Sequence, residues 1–150
     1  MSLPAMASPL PPSSLRLPIR QQTFLAFDFG LRRTGVASGN VLTRTATPQP
    51  TVVVPANAKV EARLSAVGQR IKVWQPDALV VGVPFHPDGA PHENTVRAQK
   101  FARQLRARFG LDVFEVDERY STTEALAQGA QDADAASACI ILEQFLRTLP

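Results

Sequence analysis

Residues 23–37 read Thr23-Phe24-Leu25-Ala26-Phe27-Asp28-Phe29-Gly30-Leu31-Arg32-Arg33-Thr34-Gly35-Val36-Ala37. A short apolar run ends without a breaker at Asp28, the pattern of a buried strand. A carboxylate at the end of such a strand is costly unless it is paired, solvated or bound to a metal. Asp28 is also the only acid in the first sixty residues, and Gly30, two arginines and Gly35 follow it closely. A turn-forming aspartate beside a glycine is the plain alternative reading.

Working outward, Gly35–Gly39 and Val41–Thr47 read as two further strands, with Gly39-Asn40 as a two-residue hairpin signal. Thr51–Val54 reads as an edge extension. Val60, Leu64, Val67, Ile71 and Trp74 recur at helical spacing and predict an amphipathic helix that ends before Pro76, with Trp74 in the core. Ala78–Val83 is an unbroken apolar run, as expected of a strand buried on both faces. A loop over Phe85–Glu93 follows, with His86 and His92 as surface residues. A second helix then places Ala98, Phe101, Ala102, Leu105 and Phe109 on one face and stops at Gly110. Val113–Val116 is the next strand. A short helix after Ser121 and a last one over about Ala133–Arg147 complete the order. Three antiparallel strands followed by alternating helices and strands make an α/β sheet of mixed direction.

The composition narrows the chemistry. With 150 residues, 45% hydrophobic and 19% charged, the chain has the size of one domain, expected over residues 23–150. The first twenty-two residues hold five of the thirteen prolines and no acid or aromatic. They read as a disordered Pro-rich tail rather than a secretory signal. The single Cys139 excludes an internal disulfide framework and falls among apolar neighbours as a small core residue. Two histidines on one short stretch cannot readily build a zinc site. No run of eighteen apolar residues is present, so no membrane span is expected. The net charge of +3 permits an anionic partner.

The acids carry the most information. Asp117-Glu118-Arg119 begins where the second parallel strand ends, and ligands of open α/β sheets collect at that end of the strands. One of these two acids should face the crevice. Asp132 and Asp134 precede the last helix, where a carboxylate can act simply as a cap. Asp28, one acid of the 117–118 pair and one of the 132–134 pair could meet at one edge of the sheet. Oxygen donors without Cys or His suit Mg²⁺ or Mn²⁺, two of which would clamp an in-line displacement at phosphorus. Arg32 and Arg33 could hold a phosphate beside such a site. Arg97, Lys100, Arg103, Arg106 and Arg108 decorate the second helix mainly as a solvated face, with one or two able to track a nucleic-acid backbone. Tyr120 is the one aromatic placed to stack on a base. Ser121 has no nearby histidine to act as its base, which removes a hydrolase triad.

The stretch 28–37 resembles the opening motif of the YqgF family, bacterial ribonuclease H-like proteins described as Holliday-junction resolvases and pre-16S rRNA nucleases. The likeness continues through Val80-Val81-Gly82-Val83-Pro84 with Asp88-Gly89, Arg97-Ala98 with Phe101-Ala102, and Val116-Asp117-Glu118-Arg119-Tyr120-Ser121-Thr122-Thr123-Glu124-Ala125. It ends at Asp134-Ala135-Ala136-Ser137-Ala138 and spans roughly Phe24 to Leu146. It implies a ribonuclease H-like fold of three antiparallel and two parallel strands, and it selects Asp28, Glu118 and Asp134 as catalytic, metal-binding acids. It further implies a cytoplasmic, Mg²⁺- or Mn²⁺-dependent nuclease that processes the pre-16S rRNA 5′ end, with Arg32, Arg33, Arg97 and Arg119 as substrate contacts. Branched DNA is the alternative substrate, and the pre-ribosomal particle is a possible partner. A monomer or weak homodimer is expected. Two departures stand out. Asn40 replaces a frequent acid, and residues 125–131 form a short connection without the basic residues many relatives carry there. The short connection supports a second reading, a non-catalytic RNA-binding assembly factor. A nucleotide-handling module would need a second lobe that this length does not provide.

Overall fold

The computed structural model describes residues 22–118 and 132–150. The expected tail (all but its last residue), the short helix after Ser121, and Arg119, Tyr120 and Ser121 lie outside the described residues. The described elements are β1 (Thr23–Asp28), β2 (Arg33–Asn40), β3 (Ala46–Val53), α1 (Val60–Trp74), β4 (Ala78–Val83), α2 (Glu93–Phe109), β5 (Asp112–Asp117) and α3 (Ala133–Arg147). The strands form one sheet in the order β3-β2-β1-β4-β5. Pairing is antiparallel from β3 through β2 to β1, and parallel from β1 through β4 to β5. This is the expected mixed five-stranded architecture.

Alternation along the central strands sorts the core into two layers. Leu25 and Phe27 of β1 join Val36, Leu79, Val81 and Val83 against α1 and α2. Phe24 and Ala26 join Ala37, Ala78 and Val80 against Ile141, Leu142, Phe145 and Leu146 of α3. The α3 side of the sheet is lined with small residues. On β2 it presents Gly35, Ala37 and Gly39, which pair in turn with Asp28, Ala26 and Phe24. A Cβ on Gly39 would stand 2.9 Å from the Leu142 side chain, and one on Gly35 would overlap the Asp134 carbonyl. The missing side chains let α3 settle directly onto the β2 backbone.

The second hairpin differs from the expectation. Residues 41–45 form a turn, so the expected strand Val41–Thr47 and the Gly39-Asn40 two-residue hairpin are corrected. The Asn40 side-chain carbonyl accepts from the Thr43 N–H at 3.0 Å, and the Arg44 N–H donates to the Asn40 carbonyl at 3.0 Å. Arg44 adopts a left-handed φ of 56° to close this turn. Its guanidinium then reaches the carbonyls of Leu146 and Leu149 at 2.9 and 2.8 Å, tying the turn to the end of α3. The third strand begins at Ala46 and absorbs Thr51–Val53. It carries Pro48 and Pro50, which an edge strand tolerates because one row of its N–H groups needs no ladder partner.

The helices follow their expected bounds with two differences in detail. Within α1 only Leu64 and Val67 are buried. Trp74, expected in the core, is 45% exposed. The helix ends there, at Gln75 in left-handed geometry, and the indole lines an open pocket with Thr23, Asn40 and Thr43. His92, expected as a plain surface residue, caps α2: its Nδ1 accepts from the Asn94 N–H at 3.1 Å, and Thr95 Oγ1 accepts from the His92 N–H at 3.0 Å. Gly110 closes α2 with a φ of 65°. Among the described residues no helix is long and apolar enough to cross a membrane.

The two glycines Gly35 and Gly110 resist substitution for different reasons, one steric and one conformational. Gly35→Ala is expected to cost about 2–3 kcal/mol, because the methyl group has no space without moving α3. Gly110→Ala, with nothing within 4 Å of the added methyl group, is expected to cost only about 1 kcal/mol through its positive φ. Urea denaturation of both variants checks the order. Equal losses would mean that α3 can move off β2 freely.

Candidate active site

Register brings the acids together. Asp28, the last residue of β1, pairs with Gly35 on β2 and with Gly82 on β4. It lies on the α3 side of the sheet, with a glycine on each flank. Neither neighbour fills the space beside its carboxylate. A Cβ on Gly82 would stand 2.8 Å from Glu118 Oε2 and would overlap the Ile141 side chain. Gly82 lies within the apolar run of β4, where its missing side chain admits Glu118.

Glu118 follows β5 directly, and its N–H donates to the Val83 carbonyl at 3.1 Å. Its side chain is 7% exposed, whereas Asp117 is exposed. Of that pair, Glu118 is therefore the one turned inward. Asp132 and Asp134 also separate by role. The Asp132 carboxylate caps α3, accepting from the N–H groups of Asp134 and Ala135 at 3.1 and 3.2 Å, and it is held from β3 by Thr51 Oγ1 at 2.7 Å. Asp134, in the first turn, points back over the sheet to Arg33, whose Nε donates to its Oδ2 at 2.6 Å. The same guanidinium lies 3.7 Å from Asp132.

The carboxylates act on one another. Burial raises the Asp28 pKa from 3.8 to about 6; a hydrogen bond with Glu118 lowers it, the Asp134 charge raises it, and a hydrogen bond from Ser137 lowers it. Two carboxyl groups within hydrogen-bonding distance share a proton, since their like charges disfavour double ionisation. Ser137 is buried on α3, three residues beyond Asp134. It is the site residue that sequence reasoning missed. Its signal was a hydroxyl placed among Ala135, Ala138 and Ile141 on an otherwise apolar face.

The arginines divide. Arg33 is committed to Asp134, while Arg32 is exposed on the loop after Asp28 with no side-chain partner among the described residues. Arg97 pairs with Glu93 at 2.5 Å on α2, on the far side of that loop, and Arg119 lies outside the described residues. Among the described residues, no group of three or more carboxylate, imidazole or thiol side chains is arranged to hold a metal ion as it stands. Asp28 and Glu118 face one another, and Asp134 is turned toward Arg33. The donor chemistry nevertheless fits a hard divalent cation: three carboxylates and a hydroxyl, no nitrogen or sulfur, and a shared proton in the position a cation could take.

Because the folded-state pKa of Asp28 lies above its unfolded-state value, the native state holds this proton more tightly. The associated stability is present below pH 4 and is lost as pH rises through about 6. Asp28→Asn is therefore expected to stabilise the metal-free protein by about 1–3 kcal/mol at pH 8 and by about half as much at pH 5. Thermal denaturation in a chelator checks this. A variant less stable at both pH values would contradict the electrostatic account.

Comparison with known proteins bears on the family and the fold. A family model described as "RuvX: Holliday junction resolvase" matches residues 22–148. A Polaromonas sp. protein named "Putative pre-16S rRNA nuclease" is 80% identical over 129 residues, covering 86% of this chain and 91% of that protein. A protein of the same name from Albidiferax ferrireducens is 67% identical over 128 residues, covering 85% and 80%. Among solved structures, T. thermophilus RuvC in complex with a Holliday junction substrate superposes with a TM-score of 0.56 over 84% of this chain and 94% of that one. At 15% identity this is a likeness of fold. The chain belongs to the RuvX family, also called YqgF.

Proposed function

We propose that this protein is a divalent-metal-dependent nuclease that processes the 5′ end of pre-16S rRNA in the cytoplasm, on the pre-ribosomal particle. The observation that supports the reading is Asp28 set between Gly35 and Gly82, hydrogen-bonded to Glu118 and overhung by Asp134. The relatives' names point to the same substrate class. Asp28, Glu118 and Asp134 would hold Mg²⁺ or Mn²⁺, which when bound supplies Lewis-acid polarisation of the phosphate and an acidified water.

The chain's own residues carry the other tasks. Asp28 and Glu118 would hold the cation as carboxylates, so binding would compete with the proton that burial keeps on Asp28. Ser137 holds the Asp28 carboxylate by a hydrogen bond that remains available once the proton has left. Arg33 fixes the position of Asp134 and screens its charge until the carboxylate turns inward. Arg32, exposed at the mouth of the site, is the arginine able to meet a non-bridging phosphate oxygen. Branched DNA is the second substrate to test, since the family description names a junction resolvase. Symmetric cleavage of a junction would require two copies of the chain.

The test is cleavage of an end-labelled precursor rRNA fragment and of a four-way junction, each with Mg²⁺ or Mn²⁺. Asp28→Asn and Glu118→Gln, both folded, are expected to lower the rate at least about a hundredfold. Cleavage unaffected by either substitution or by chelation would overturn the metal-nuclease reading. Binding of the RNA without cleavage by the wild type would leave a non-catalytic assembly factor.

A further inference from the structure

A groove of about 240 Å³ lies across the 29–32 loop from the carboxylates. Phe29 and Leu31 of the loop, Val60 and Arg63 of α1, and Arg97 and Lys100 of α2 line it. No acidic side chain lines the groove; Glu93 reaches it only through its pair with Arg97.

Arg63 is its most constrained member. The guanidinium lies 4.8 Å over the Phe29 ring and donates to the Leu31 carbonyl. Its buried Nε has no hydrogen-bond partner among the described residues. Burial lowers its pKa from the usual arginine value, a cost that an anion in the groove would relieve. Lys100, on the α2 wall, is exposed with no ion-pair partner among the described residues. Three cationic side chains and no acidic one line the groove, a charge balance that suits a polyanion. Leu31 and Val60, 54% and 43% exposed, offer apolar cover for sugars. The loop joins this groove to the acids: Phe29 follows Asp28 directly, and Arg33, two residues beyond Leu31, holds Asp134.

We infer that this groove holds the phosphodiester backbone of the strand being cut, at phosphates flanking the scissile one, through Arg63 and Lys100. Such contacts position the substrate without reading its sequence. The inference rests on the nuclease reading above and adds to it the path of the substrate.

Fluorescence anisotropy with labelled precursor rRNA fragment and labelled four-way junction, in chelator so that nothing is cut, tests it. Lys100→Glu is expected to weaken binding roughly five- to tenfold and to lower the slope of log affinity against log salt by about one. Lys72→Glu changes the net charge equally, at the opposite end of α1 from Arg63, and is expected to stay within about twofold of wild type. Arg63→Gln should weaken binding in the same way as Lys100→Glu. If Arg63→Gln does not fold, Lys100→Glu alone decides. The arm in which the loss appears identifies RNA or DNA as the strand held. Wild-type binding with Lys100→Glu and Lys72→Glu indistinguishable would overturn the groove assignment and leave the nuclease reading standing. A wild type that binds neither probe would remove both.

Discussion

Backbone contact between α3 and β2 is the constraint on which the rest of the molecule depends. The carbonyl of Asp134 occupies the space where a side chain on Gly35 would begin, so the first turn of the helix rests on the strand itself. Close approach of this kind needs glycine, and the register places that glycine directly beside Asp28. Both ends of α3 are then fastened. Arg33 holds Asp134 of its first turn and Thr51 holds its capping Asp132, and Arg44 holds the carbonyls at its end. The small residues of the sheet face and the apolar stripe Ala138, Ile141, Leu142 and Phe145 fill the length between. Interiors packed to this density transmit a misplaced methyl group into the position of the whole helix.

That packing gathers negative charge where charge is least welcome. Asp28 sits at a sheet end, against Glu118, with Asp134 above. The structure moderates the repulsion in two ways, by a raised Asp28 pKa and by the Arg33 guanidinium on Asp134. Neither removes it. Sites that carry chemistry commonly cost their fold stability, and crowded buried carboxylates are one form of that cost. The glycines on either side of Asp28 belong to the same arrangement, giving up packing area to leave room for carboxylates.

Much of the site was legible in residue order. An acid ending an apolar run, an acid just after a later strand and acids opening a terminal helix were visible without coordinates, because strand and helix periodicities leave clear traces in sequence. Ser137 was not, because a buried serine on a helix looks like any small residue until its neighbour across the sheet is known. The turn at 41–45 was hidden for a similar reason. Asn40 and Arg44 act through a side-chain bond and a left-handed residue, whereas the glycine before Asn40 imitates a tighter hairpin. Trp74 had helical spacing, yet α1 buries only Leu64 and Val67, so periodicity found the stripe but not its buried extent.

Sequence by itself determined the class of fold, the order of its strands and helices, the carboxylates available to the candidate site and the family, since each depends on local pattern or residue type. Tertiary structure alone decided that Glu118 is buried beside Asp28 while Asp134 is held by Arg33, which arginine is already engaged, and where a basic groove lies relative to the carboxylates. Those outcomes depend on register and on the approach of one helix to one strand. Residues 28, 35, 82, 118, 134 and 137 are brought together by contacts most of which join distant parts of the chain, some more than a hundred positions apart, and no local signal encodes a distance of that kind.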